Sequence, residues 1–87
     1  MSMSREGFEK AKQRQLALND RVNKLFERLK IPLRDKVQMN HYGKVYLFGK
    51  SIEENTTDDE LINIIESTPE KSWEGHINFF GEWIDNS

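Results

Sequence analysis

The sequence predicts an α+β fold that is mostly α, in the order αββαα: a long N-terminal helix, a β-hairpin and two shorter C-terminal helices. Three observations lead to this fold class. Residues 8–30 contain neither glycine nor proline, an aromatic and β-branched run follows within residues 36–49, and two helix-start patterns come after it. Because 87 residues are few for two domains, we expect one domain spanning residues 1–87.

The first helix is predicted over about residues 8–30, which are rich in Glu, Lys, Arg, Gln, Leu and Ala. A seven-residue frame places apolar side chains in one stripe along it: Phe8, Ala11, Leu18, Val22, Leu25 and Leu29. Pro32 is expected to end the helix, because proline cannot continue the hydrogen-bond ladder. The stripe would pack either on the rest of the chain or on a second copy, so a homodimer through it stays open.

A β-hairpin is predicted over about residues 36–49. Residues 36–40 alternate weakly, and residues 44–49 form the aromatic and β-branched run that is typical of a strand. Gly43 lies between them and would supply the positive φ that a short hairpin loop needs. We expect a helix to cover the hairpin, because two strands alone are marginally stable in water.

A short helix is predicted over about residues 58–67. Thr57 and Glu60 have the spacing of a capping box, in which each side chain satisfies a backbone N–H at the start of a helix. The segment is only about ten residues long and densely apolar on one face, so tertiary packing must stabilise it.

A last helix is predicted over about residues 69–84, with Pro69 at its first position. Its apolar residues recur at steps of four, three and four: Trp73, Ile77, Phe80 and Ile84. Gly75 and Gly81 are unfavourable inside a helix. Either this helix is marginal or a neighbouring segment approaches it closely at the glycines.

The charge of the chain is divided between its two halves. Residues 1–50 hold 12 Lys and Arg against 5 Asp and Glu, a net charge of +7, whereas residues 51–87 hold 1 against 10, a net charge of −9. An asymmetry of this kind bears on partners and not on the fold. Either the halves neutralise each other, within one chain or between chains, or one charged patch stays exposed for a partner of opposite charge.

A line of cations along one face of the first helix is the leading candidate site. We call it the basic rail, and it consists of Lys10, Arg14, Arg21, Lys24 and Arg28. Such a line matches a row of phosphates, and Tyr42 and Lys44 at the hairpin tip could add base stacking and one more charge. The sequence therefore predicts a small regulatory or inhibitory module that binds nucleic acid or a nucleoprotein, unless the rail pairs with the acidic half.

Two alternatives stay open. In the first, the acidic half docks on a basic protein, as in an inhibitor or antitoxin-like factor of a phage or mobile element; the candidate contacts are Asp58, Asp59, Glu66, Phe79 and Trp83. In the second, the chain is a homo-oligomeric scaffold component joined along the apolar stripe.

Several classes of function find no support in the sequence. Without cysteine, disulfides, thiolate metal sites and cysteine nucleophiles are excluded. Neither a nucleophile with its base nor a metal cluster nor a glycine-rich phosphate loop can be assembled, so we expect no enzyme, no cofactor and no metal. No run of apolar residues approaches a membrane span, and a cytoplasmic location is expected.

Overall fold

The computed structural model describes residues 5–78 and 82–84. Two helices and two small sheets follow one another in the order α1 (Arg5–Arg28), β1 (Val37–Met39), β2 (Val45–Leu47), β3 (Lys50–Ile52), α2 (Asp58–Ser67), β4 (His76–Ile77) and β5 (Trp83–Ile84). One turn of 3₁₀ helix, Glu70–Ser72, lies between α2 and β4. The class is α+β, but the predicted αββαα order is wrong, because three strands were not anticipated.

Backbone hydrogen bonds at its C-terminus end helix α1 before the chain reaches Pro32. The N–H of Ile31 donates to the carbonyl of Phe26 at 2.8 Å, and the N–H of Lys30 donates to that of Glu27 at 3.1 Å. Lys30 has a φ of 59°, so these bonds form a Schellman motif with lysine where glycine is usual. The chain thereby turns back over α1 and leads into β1.

The apolar stripe of α1 packs inside the same chain. Ala11, Leu18, Val22 and Leu25 are buried, and the last three join the core formed with the strands and α2. Leu29 is half-buried against this core, whereas Phe8 is 46% exposed. Most of the stripe is therefore occupied within the chain, and only its Phe8 end faces solvent.

The predicted hairpin is confirmed, and a third strand extends it. Strands β1 and β2 pair antiparallel, and Gly43 in their loop has a φ of 87°. Strand β3 then pairs with β2 through a loop of two residues, Phe48 and Gly49, whose φ angles are 50° and 82°. Positive φ at both positions is the requirement of a type I′ turn, which asparagine and glycine normally meet. Phe48 adopts this conformation while its side chain is buried in the core, where the centroids of the Phe48 and Phe26 rings are 6.3 Å apart.

The predicted helix over residues 69–84 is wrong. After the single 3₁₀ turn, β4 and β5 pair antiparallel, with Ile77 opposite Trp83. Gly75 accounts for the change, because a Cβ there would lie 2.5 Å from Trp83 Cζ2 and 2.5 Å from the carbonyl oxygen of Ile84. The glycine allows β5 to fold back over it, so Gly75 marks a close approach of strand β5 and not a feature of a helix. Phe80 and Gly81 lie outside the described residues.

Helix α2 has the bounds that the sequence predicts. The Thr57 hydroxyl accepts a hydrogen bond from the N–H of Glu60 at 3.1 Å, as the capping box requires. Leu61 and Ile65 are buried against α1 and the first sheet and complete the core.

Two asparagines of α1 hold the segment that leads into β1. Asn19 and Asn23 donate their side-chain amides to the Asp35 carboxylate at 2.8 and 3.2 Å. In return, Asn23 accepts the N–H of Asp35 at 2.9 Å and Asn19 accepts that of Val37 at 3.3 Å. The two bonds that the Asn19 and Asn23 amides donate hold the pKa of the Asp35 carboxyl below its ordinary value of 3.8, with a further contribution from the charge of Arg34. Asp35 has a φ of 59°, a conformation in which Asp and Asn are the most tolerated residues after glycine.

We expect Asp35 to give the protein part of its stability against acid. Because its pKa is lowered in the folded state, the unfolded chain binds the proton first as the pH falls. The contribution is complete above the ordinary pKa of 3.8 and is lost as the pH falls through the folded-state value. Urea unfolding between about pH 2 and 6 should show a smaller acid loss for Asp35→Asn than for the unchanged protein. The exposed Glu66→Gln serves as control, and parallel curves for Asp35→Asn and the unchanged protein would contradict the assignment.

Candidate nucleic-acid interface

The structure divides the basic rail into members with different surroundings. Lys10, Arg14, Lys24 and Arg28 are exposed along α1, and Arg21 is half-buried. Lys24 pairs with Asp20 of the same helix at 3.4 Å. The rail is thus on the surface as predicted, but its members are not equivalent as binding groups.

Arg21 belongs to the architecture of the fold. Its guanidinium donates to the carbonyls of Glu54 at 3.3 Å and Thr56 at 2.9 Å, and to Asp58 Oδ1 at 2.6 Å. These bonds hold the β3–α2 turn, residues 53–57, against α1. Since the guanidinium is already engaged, we do not assign Arg21 to a ligand.

Arg14 connects α1 to the hairpin tip. Its Nη2 donates to the carbonyl of Gly43 at 3.3 Å, across 29 positions of the sequence. Lys44 follows Gly43 directly and is exposed. The bond therefore places the cation at the hairpin tip next to the N-terminal part of the rail, an arrangement that helix periodicity alone could not show.

The hairpin tip is a fixed turn with an exposed aromatic side chain. Buried Asn40 accepts the N–H groups of Tyr42 at 3.0 Å and Lys44 at 2.9 Å on its Oδ1. The ring centroids of His41 and Tyr42 lie 3.9 Å apart, and Tyr42 is 58% exposed. The backbone is held from within while the ring of Tyr42 faces solvent.

Two grooves meet at Arg14 and Glu54. The first, of about 430 Å³, is the tip groove and is lined by Arg14, Gly43, Lys44, Val45 and residues 51–55. The second, of about 590 Å³, is the rail groove and is lined by Lys10, Gln13, Arg14, Ala17, Leu18, Arg21 and Glu54. Both grooves share Arg14 and Glu54 in their linings; their cations come from α1 and the hairpin, and their acids come from the β3–α2 turn.

The sequence did not connect the β3–α2 turn with the basic residues. Glu53 and Glu54 belonged to the acidic half, and Asn55 carried no motif. Their place in the tip groove depends on the contacts of Arg21, which join positions 33 to 37 residues apart. No local pattern of the sequence indicates a contact over that distance.

The two charged halves neutralise each other only in part. Of the ion pairs between described residues, two join the halves: Arg21 with Asp58 at 2.6 Å and Lys36 with Glu74 at 3.6 Å. The other pairs, such as Lys24 with Asp20, lie within the basic half. Much of the charge on either side therefore remains available for a partner.

The predicted protein-contact residues that the structure describes lie on α2 and β5. Asp58 is engaged by Arg21, whereas Asp59 and Glu66 are exposed on α2. Trp83 is half-buried and packs on the core, with its ring 5.7 Å from that of Phe48 in a T-shaped contact. Phe79 lies outside the described residues.

The comparisons with known proteins add nothing to this geometry. The chain matches no protein-family model, no curated protein and no solved structure. Within residues 5–78 and 82–84, no group of three His, Asp or Glu is arranged to hold a metal ion. Neither described helix has the length and apolar character needed to cross a membrane.

Proposed function

We propose that this protein is a small, non-enzymatic regulatory module that binds nucleic acid at the tip and rail grooves. The groups in contact with the ligand are Lys10, Arg14, Tyr42 and Lys44. One observation carries the proposal: the bond from Arg14 to the carbonyl of Gly43 unites the basic helix face and the exposed hairpin tip in one surface.

Charge repulsion supports an anionic ligand at this surface. Lys10 and Arg14 are one helical turn apart, a spacing at which like charges destabilise a helix by a few tenths of a kcal/mol. Lys44 adds a third cation across the groove. A phosphate backbone relieves this repulsion and releases the counterions that it carried, which favours binding at low salt.

The affinity should therefore fall with rising salt concentration, and more steeply the more cations contact phosphates. Three phosphate contacts correspond to a slope of log affinity against log salt of about −2 to −3. We expect the double variant Lys10→Glu and Lys44→Glu to lower the affinity by at least about tenfold at moderate salt and to flatten the slope by about 2. Fluorescence anisotropy with short labelled oligonucleotides, over a series of salt concentrations, measures both quantities.

The matched control is Lys12→Glu. Lys12 is exposed on α1 like Lys10 but lies about 160° away around the helix. Lys12→Glu therefore changes the charge by the same amount as Lys10→Glu, but on another face. Its affinity should stay within about twofold of the unchanged protein. The proposal fails if no oligonucleotide binds at about 50 mM salt, or if Lys12→Glu weakens binding as much as a single reversal at Lys10.

The acidic face of α2 supports a second candidate, an inhibitor that docks on a basic protein. Asp59 and Glu66 are exposed and seven residues apart, which places them on one face of the helix about 10 Å from each other. Asp58 is less suited to such a role, because Arg21 already engages it. Under this alternative, reversal of Lys10 and Lys44 would leave the protein's interaction with its target intact.

A further inference from the structure

The hairpin tip and the tip groove also indicate which form of nucleic acid fits. We infer that the ligand is single-stranded, with one unpaired base stacked on Tyr42 and a neighbouring base in the tip groove, where a base that carries an amino group is preferred. This inference rests on the proposed function and specifies the ligand of the same site.

The first argument is the exposed ring of Tyr42. Two hydrogen bonds to Asn40 and the contact of Arg14 with Gly43 fix the backbone on both sides of the ring. A ring that is 58% exposed on a fixed turn can receive a base with little loss of conformational entropy. Bases inside a duplex are already stacked on each other, so only an unpaired base can make this contact.

The second argument is the mixed charge of the tip groove. Arg14 and Lys44 line it together with Glu53, Glu54 and Asn55. The carboxylates would repel a phosphate placed inside the groove, so the backbone must follow the cations at its rim. A base edge is the part of a nucleotide that tolerates carboxylates, because its amino groups donate hydrogen bonds to them.

The turn that carries these carboxylates is held in place. The Glu53 N–H donates to Thr56 Oγ1 at 2.8 Å, and the Thr56 N–H donates to the Glu53 carbonyl at 3.0 Å. Arg21 binds the same turn from α1 through the carbonyls of Glu54 and Thr56. The backbone of this acidic wall is thus fixed, and the groove's volume of about 430 Å³ falls within the range of small-ligand pockets.

The hydrogen-bond acceptors in this wall determine which bases the groove prefers. Cytosine and adenine present an amino group on their pairing edges, whereas thymine and uracil present none. We therefore expect oligodeoxycytidine and oligodeoxyadenosine of about 12 nucleotides to bind more tightly than oligothymidine of equal length. Oligodeoxycytidine or oligodeoxyadenosine annealed to its complement should bind more weakly than the same oligonucleotide as a single strand.

The test combines these probes with variants of Tyr42 in anisotropy titrations. Tyr42→Ala should weaken single-strand binding by about 5- to 150-fold with an unchanged salt slope, and Tyr42→Phe should retain it, because stacking needs the ring and not the hydroxyl. Phe8→Ala, which removes another exposed aromatic ring, is the matched control and should have no effect. Thermal unfolding of each variant verifies that it folds.

The base preference has its own variant. Exchange of Glu53 and Glu54 for glutamine keeps hydrogen-bonding groups in the groove but removes the negative charge. It should tighten the binding of oligothymidine and reduce its difference from oligodeoxycytidine, while the control Glu66→Gln changes neither.

The outcomes separate this inference from the proposed function. If the Lys10 and Lys44 reversals abolish binding but a duplex binds as tightly as a single strand, or Tyr42→Ala binds normally, the inference is wrong, while nucleic-acid binding through the cations of the proposed site stands. Equal binding of oligothymidine and oligodeoxycytidine also overturns it. If no oligonucleotide binds at about 50 mM salt, both are wrong.

Discussion

Replacement of Phe26 by alanine is expected to lower the free energy of unfolding by about 3 to 5 kcal/mol. The side chain is fully buried, and its ring packs 6.3 Å from that of Phe48, which in turn lies 5.7 Å from the ring of Trp83. These three rings join α1, the β2–β3 turn and β5. The cavity left by Phe26→Ala would therefore open where three elements meet, and the surroundings cannot easily collapse into it.

Phe8 provides the control for this prediction within the same helix. It lies 18 residues before Phe26, which is five helical turns, so both side chains leave α1 on the same face. Because Phe8 is 46% exposed, Phe8→Ala should change the unfolding free energy by no more than about 0.5 kcal/mol. Urea unfolding followed by circular dichroism measures both, and equal losses for the two variants would contradict the described core.

The loss at Phe26 is large relative to the stability that a chain of this size can have. At about 0.05 to 0.15 kcal/mol per residue, the whole protein is stabilised by roughly 4 to 13 kcal/mol. Phe26→Ala would remove about a quarter of that stability at the least. For this reason the binding site should be tested with exposed residues such as Lys10, Tyr42 and Lys44, whose replacement leaves the core intact.

Local signals in the sequence were sufficient for α1, α2 and the first hairpin. The capping box at Thr57 fixes the start of α2, and Gly43 fixes the turn between β1 and β2. Each of these signals acts over a few residues, and helices and hairpins form through contacts of that range. The bounds of these elements therefore agree closely with the prediction.

The third strand and the C-terminal sheet depend on contacts that no local pattern reveals. The β2–β3 turn uses Phe48 at a position where asparagine or glycine is usual, because burial of the ring offsets the unfavourable φ. Trp83 then packs on that turn and on Gly75, which makes β5 and not a helix the stable state of its segment. Trp73, Ile77 and Ile84 have the spacing of a helix, but Ile77 and Ile84 lie in strands β4 and β5.

The same distinction separates the predicted from the unpredicted part of the candidate site. Helix periodicity places the basic rail on one face of α1, and the sequence alone suffices for that step. It could not show that Arg21 is engaged by the β3–α2 turn or that Arg14 reaches the hairpin tip, because both contacts follow from tertiary folding. The division of the rail into structural and available cations is therefore a result of the structure.

Replacement of Gly49 by alanine is expected to destabilise the protein strongly, although it adds only one methyl group. Gly49 has a φ of 82°, where an L side chain costs about 1 to 2 kcal/mol. A Cβ there would also lie 2.5 Å from Trp83 Cβ and 3.2 Å from Trp83 Cγ, so β5 would have to move. Overpacking of this kind costs about 1 to 3 kcal/mol, and we expect a total loss of at least about 2 kcal/mol in urea unfolding.

A second variant, Gly49→Asn, separates backbone strain from the contact with Trp83. Asparagine tolerates positive φ better than alanine but carries the same Cβ, so it should relieve the strain and leave the collision. If the contact dominates, both variants lose similar stability, and the tryptophan fluorescence, to which Trp73 and Trp83 both contribute, shifts to longer wavelength as the Trp83 side chain leaves the turn. If Gly49→Asn is as stable as the unchanged protein and its fluorescence does not shift, Trp83 does not pack on this turn, and the position of β5 described above is wrong.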